Sequence, residues 1–81
     1  MTKTEKELAL SDLKVGETAR IEKSEVDRDL KRRLMELGFI NGATVSCVGD
    51  SPLGDPRAYL VCSAIIAIRN KDGEKIICRR M

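Results

Sequence analysis

A mainly β fold is predicted by three features of this sequence: a small five-stranded barrel with one α-helix inserted after the first strand. Five short runs of strand-forming residues are each bounded by turn signals. One run has helical period, with apolar residues three and four apart. The composition completes the case, because a single Phe, a single Tyr and no Trp among 81 residues require an aliphatic core. Apolar residues make up 42% of the chain, too many for a disordered polypeptide. The length suits one small domain with a thin core. Residues 1–7 are read as a flexible N-terminus and residues 8–81 as a single domain.

In "LALSDLKVGE", Leu8, Leu10 and Leu13 are apolar anchors around a short turn that Ser11 can cap and Gly16 can end. "ETARIEK" alternates, with Ala19 and Ile21 between polar neighbours, which is the period of a half-buried strand. Ser24 then stands as N-cap to a helix whose face carries Val26, Leu30, Leu34 and Leu37. Gly38 occupies the position after the helix where a left-handed residue belongs, and Phe39 is placed to fold back on Leu34. Asn41 and Gly42 form a turn, followed by a strand over about 43–48. "RAYLVCS", "AIIAIR" and "EKIICRR" read as the remaining strands, with "NKDG" as the last turn.

Five short strands cannot bury two faces as an open sheet, and closure removes exposed edges. An SH3-like barrel fits this order of elements. An OB-fold is the rival, but it usually places its helix between the third and fourth strands.

Catalytic and metal chemistry have little material here. The chain has no His, so the usual base near neutral pH is missing. The three cysteines, Cys47, Cys62 and Cys78, lie far apart in predicted strands, where free Cys acts as a small hydrophobe. The expectation is no enzyme, no resident metal and no cofactor. On the helix, Arg28, Lys31 and Arg32 are interleaved with acids at i,i+4 spacing, as on a solvated face. A net charge of +2 with mixed signs lacks the basic stripe of a nucleic-acid binder. The polar opening and the short "AIIAI" run point to a cytoplasmic chain with reduced thiols and no membrane insertion.

The loop "SPLGDPRAY" holds both prolines of the chain. Pro52 and Pro56 restrict the backbone, Gly54 frees it, and Asp55 can bond nearby backbone. As a punctuated hairpin connection it needs no function. Its tip, however, carries Leu53, and a stiff loop presenting an apolar residue loses little entropy on binding. Residues 52–56 together with Met35 and Phe39 at the helix end are the candidate partner surface.

These residues resemble the FeoA family, small cytosolic components of bacterial ferrous-iron (Feo) transport. The resemblance runs through Leu34, Leu37, Gly38, Gly42, Pro52, Gly54, Asp55, Pro56, Ile68, Arg69 and Ile76. It extends upstream to Leu10, Leu13 and Gly16, and covers about residues 8–79. Ser63, Gly73 and Asn41 depart from residues usual in that family. The resemblance implies an SH3-like barrel. It also implies an accessory role beside the Feo permease, a FeoB-type membrane protein with a cytosolic G-protein domain. The alternatives are an RNA-binding barrel of the same shape and a direct Fe(II) carrier.

Overall fold

The computed structural model describes residues 7–81. The N-terminal expectation for residues 1–6 lies outside them. The described chain forms strands β1 (Glu7–Ala9), β2 (Thr18–Ser24), β3 (Thr44–Asp50), β4 (Arg57–Val61), β5 (Ala64–Ile68) and β6 (Ile76–Arg80). All neighbours are antiparallel, in the order β1-β6-β2-β3-β4-β5. Helix α1 (Arg28–Glu36) follows β2, and a single-turn helix α2 (Asn70–Gly73) precedes β6.

The expected five-stranded closed barrel is corrected in three respects. Among the described residues there are six strands, because Glu7–Ala9 forms a strand too short to show alternation in sequence. The helix therefore follows the second strand. The sheet is also open, since β1 and β5 do not pair among the described residues. β1 ends at a 3-10 turn, Leu10–Asp12, and among the described residues no ladder joins it to β5. Other groups bridge the gap. The Tyr59 hydroxyl donates to the Leu10 carbonyl at 3.3 Å, and Arg57 Nη1 donates to the Ser11 carbonyl at 2.8 Å. Gly73 lies so close to Ser11 that an added Cβ would stand 3.2 Å from the Ser11 nitrogen. Ser11 lies inside the 3-10 turn rather than capping one.

Alternation in the strands builds the core. Ala19 and Ile21 of β2, Val45 and Cys47 of β3, Tyr59 and Val61 of β4, and Ile76 and Cys78 of β6 all point inward. Leu10, Leu13, Leu34 and Phe39 close the interior from the 3-10 turn and helix side. Full burial of such side chains stabilises by about 1.5–3 kcal/mol each. Both aromatics are buried, so the core is aliphatic around one ring from the sheet and one from the helix end.

The N-cap of α1 is Asp27, not Ser24. Asp27 Oδ1 accepts from Leu30 N–H at 2.8 Å. Ser24 is still in β2, opposite Ile76, and Glu25 N–H donates to the Lys75 carbonyl at 2.7 Å, so pairing with β6 holds the chain extended past Ser24. Leu37 also departs from the predicted stripe: it is the C-cap and 45% exposed. "NKDG" forms α2 rather than a simple turn.

Candidate interaction surface

Two of the three expected turn and cap residues perform the expected job. Gly38 has φ +101° and follows the C-cap. Its N–H donates to the Met35 carbonyl at 3.1 Å and the Phe39 N–H donates to the Leu34 carbonyl at 2.8 Å, the paired bonds of a Schellman ending. Gly42, at φ +92°, completes a turn closed by Ala43 N–H on the Ile40 carbonyl at 3.0 Å.

The Schellman ending settles the position of Phe39. The turn that places Phe39 against Leu34 also takes the ring into the core, where it is 2% exposed. It is therefore corrected from surface residue to core residue. Met35, one helical turn earlier and lining the same depression as the edge of Phe39, is 51% exposed. Beside it lie Arg28, Lys31 and Arg32 on one side and Ser24, Ile40 and Asn41 on the other.

The loop 51–56 is a tied structure. Gly54 N–H donates to the Ser51 carbonyl at 2.8 Å and Asp55 N–H donates to Ser51 Oγ at 2.9 Å. Asp55 Oδ1 then accepts from Asn70 N–H at 2.9 Å, and Asn70 Nδ2 donates to the Gly54 carbonyl at the same distance. The loop is thus latched to the first residue of α2. Leu53 at its tip is 93% exposed. Pro52 and Pro56, both exposed, flank it. The recorded bonds tie this loop to α2, not to Met35, so the expected surface divides into a loop part and a helix part. Asn70 was missed because its bond partners lie 15 and 16 positions away, and "NKDG" has no local signal for them.

The cysteines do not converge. Cys47 and Cys78 are buried, whereas Cys62 is exposed. Cys62 is not in a strand as expected. It shares a two-residue hairpin turn with Ser63, at φ +51° and +70°. Burial pushes the Cys78 thiol up to about 12, with the Glu22 carboxylate adding to the shift, so it stays protonated and unreactive. Among the described residues no three His, Cys, Asp or Glu side chains are grouped so that they could share an ion. The Arg79 guanidinium donates to both oxygens of the Glu22 carboxylate, at 2.7 and 3.2 Å. Glu7 lies 3.6 Å from the same guanidinium. This cluster joins β1, β6 and β2 across the sheet. No described helix is long and apolar enough to cross a membrane.

An antiparallel sheet of this size with one inserted helix defines a small SH3-like β module. Residues 8–80 match the model of the FeoA domain, and the chain belongs to the FeoA family. It is 33% identical over 69 residues to the Fe(2+) transport protein A/Fe(2+) transporter FeoB fusion protein of Porphyromonas gingivalis. That match spans 85% of this chain and only 8% of the fusion protein. The solution structure of FeoA from Chlorobium tepidum superposes with a TM-score of 0.88 at 30% identity, covering 91% of this chain and 70% of that one. Stenotrophomonas maltophilia FeoA complexed with zinc, described as a prokaryotic SH3 domain protein, superposes with a TM-score of 0.76 at 28% identity over 88% of each chain.

Proposed function

We propose that this chain is a non-catalytic accessory protein of ferrous-iron uptake. It works in the cytoplasm by contact with a FeoB-type permease, at the permease's cytosolic face, and modulates its G-protein domain. Residues 8–81 act as one unit in this role. The observation that carries the reading is the relative in which a sequence of this kind and a FeoB transporter share one polypeptide. Covalent linkage holds two partners at a high effective concentration, the arrangement expected for domains that work together. The latched loop adds support, because it presents Leu53 on a backbone already ordered by Ser51, Asp55 and Asn70. Interleaved charge on α1 favours a protein partner over a nucleic acid. Ferrous iron is the transporter's cargo in this reading.

The test places Leu53→Asp and Met35→Asp, singly and together, in cells that depend on the transporter. Both side chains are exposed, so unfolding curves should stay within about 0.5 kcal/mol of the parent. Permease-dependent iron uptake is expected to fall, most in the double variant. Normal uptake by the folded double variant overturns the proposed surface.

A further inference from the structure

Strand β5 has an unguarded outer edge. It pairs with β4 on one side, and among the described residues no strand pairs with the other. In a two-residue hairpin the closing pair, here Val61 and Ala64, is hydrogen-bonded, and bonding alternates from there. Ile66 and Ile68 therefore also turn their N–H and C=O groups toward β4. Ile65 and Ala67 turn theirs outward. Natural edges are usually blunted by Lys, Pro, a bulge or an inward charge. "AIIAI" has none of these, and its register against β4 is unbroken over five residues.

This edge runs beside α1. Leu30 and Leu37 of the helix and Ile66 of the strand line a groove between them, with Arg33, Arg69 and Asp72 at its charged positions. Neither Arg33 nor Arg69 has an ion-pair partner among the described residues. One wall therefore offers free main-chain donors and acceptors, the other offers apolar surface, and two cations stand against one carboxylate.

We propose that this groove receives an extended segment of a partner protein, added to the sheet as a further strand beside β5. Its alternate apolar side chains lie on Leu30, Leu37 and Ile66, and its Asp or Glu residues pair with Arg33 and Arg69. Main-chain bonding supplies affinity in this mode and the side-chain contacts supply selectivity. A second copy of this chain offering its own β5 is disfavoured, because "AIIAI" brings no carboxylate to the two arginines. The groove adjoins the loop 51–56 through Arg69 and Asp72, which flank the Asn70 latch, but Leu53 is not part of its lining, so this site and the Leu53 contact are tested by different variants.

The probes are blocked heptapeptides alternating Val with Thr, one set ending in Glu at both ends and a matched set ending in Lys. Each is titrated into isotope-labelled protein and followed by amide shifts and hydrogen exchange. The acidic set is expected to bind, shifting and protecting the Ile65 and Ala67 amides, with the Lys-ended set about tenfold weaker. Arg33→Glu combined with Arg69→Glu, both at exposed positions, should lower acidic-peptide affinity about tenfold. Ala67→Pro removes one outward N–H without breaking a β4 bond and should abolish binding. The proposal is overturned if no acidic peptide binds with Kd below about 1 mM. Equal binding of the Lys-ended set, shifts centred away from β5, or peptide-free dimerisation through β5 overturns it equally. The Leu53→Asp variant should leave these titrations unchanged.

Discussion

At Gly38 the chain leaves α1 with φ +101°, and the same residue lies directly under Cys62. A Cβ there would stand 2.8 Å from Cys62 Sγ and 3.0 Å from its Cβ. Gly38→Ala is therefore expected to cost about 1–2 kcal/mol for the left-handed backbone. The steric overlap should add about 1–3 kcal/mol. In a Gly38→Ala, Cys62→Gly double variant the overlap disappears and the backbone part remains, so urea unfolding of the four proteins should show a coupling of about 1 kcal/mol or more. Half of this constraint was legible in the sequence: a glycine after a helical period signals the left-handed turn. The approach of Cys62 was not, because Cys62 lies 24 positions from Gly38 and meets it only in the folded sheet. Phe39 is governed by the same turn. The ending that folds it onto Leu34 is the reason it cannot also face a partner.

Helix α1 begins where β2 releases the chain. The strand keeps its pairing with β6 through Ser24, and Glu25 is still bonded to Lys75, so the first free capping side chain is Asp27. Asp27→Ala should lower stability by about 1 kcal/mol. Ser24→Ala should change it by less than about 0.5 kcal/mol. Thermal melts of the two variants distinguish the caps, and the opposite ranking would restore Ser24. Sequence pattern located every long element, because apolar residues alternate in β2, form short turn-bounded runs in β4, β5 and β6, and recur at helical spacing in α1. It missed β1, whose three residues are too few to show a period, and α2, whose start is bonded by Asp55 from a loop 15 residues earlier. Both candidate surfaces inherit this difference. Residues 52–56 are marked by Pro and Gly and could be found in sequence. The groove beside β5 is made by two elements that are not neighbours in the chain, and no local pattern points to it.

Across the molecule, two buried acids set the behaviour at high pH. Burial pushes the Cys78 thiol from its usual 9.0, and the Tyr59 hydroxyl from its usual 10.0, up to about 12. The unfolded chain loses these protons first, so the folded state holds more protons between the ordinary and raised values. The associated stability is complete below about pH 9 and is lost as pH rises toward 12. Melting temperature should therefore fall over this window, and Cys78→Val should flatten the part that begins near pH 9. A melting temperature constant to pH 12 would contradict the assigned burial. The closed barrel expected from the sequence failed on a matter of scale. Hiding edges is a sound general demand, but this chain meets it at one end with the 3-10 turn, α2, Tyr59 and Arg57 instead of a ladder. The register of β1 against β6 sets Glu7 opposite Arg79, so the first described residue and nearly the last are side by side. A tether to a larger polypeptide can therefore leave from the β1–β6 side of the sheet whether it is joined before Glu7 or after Arg79.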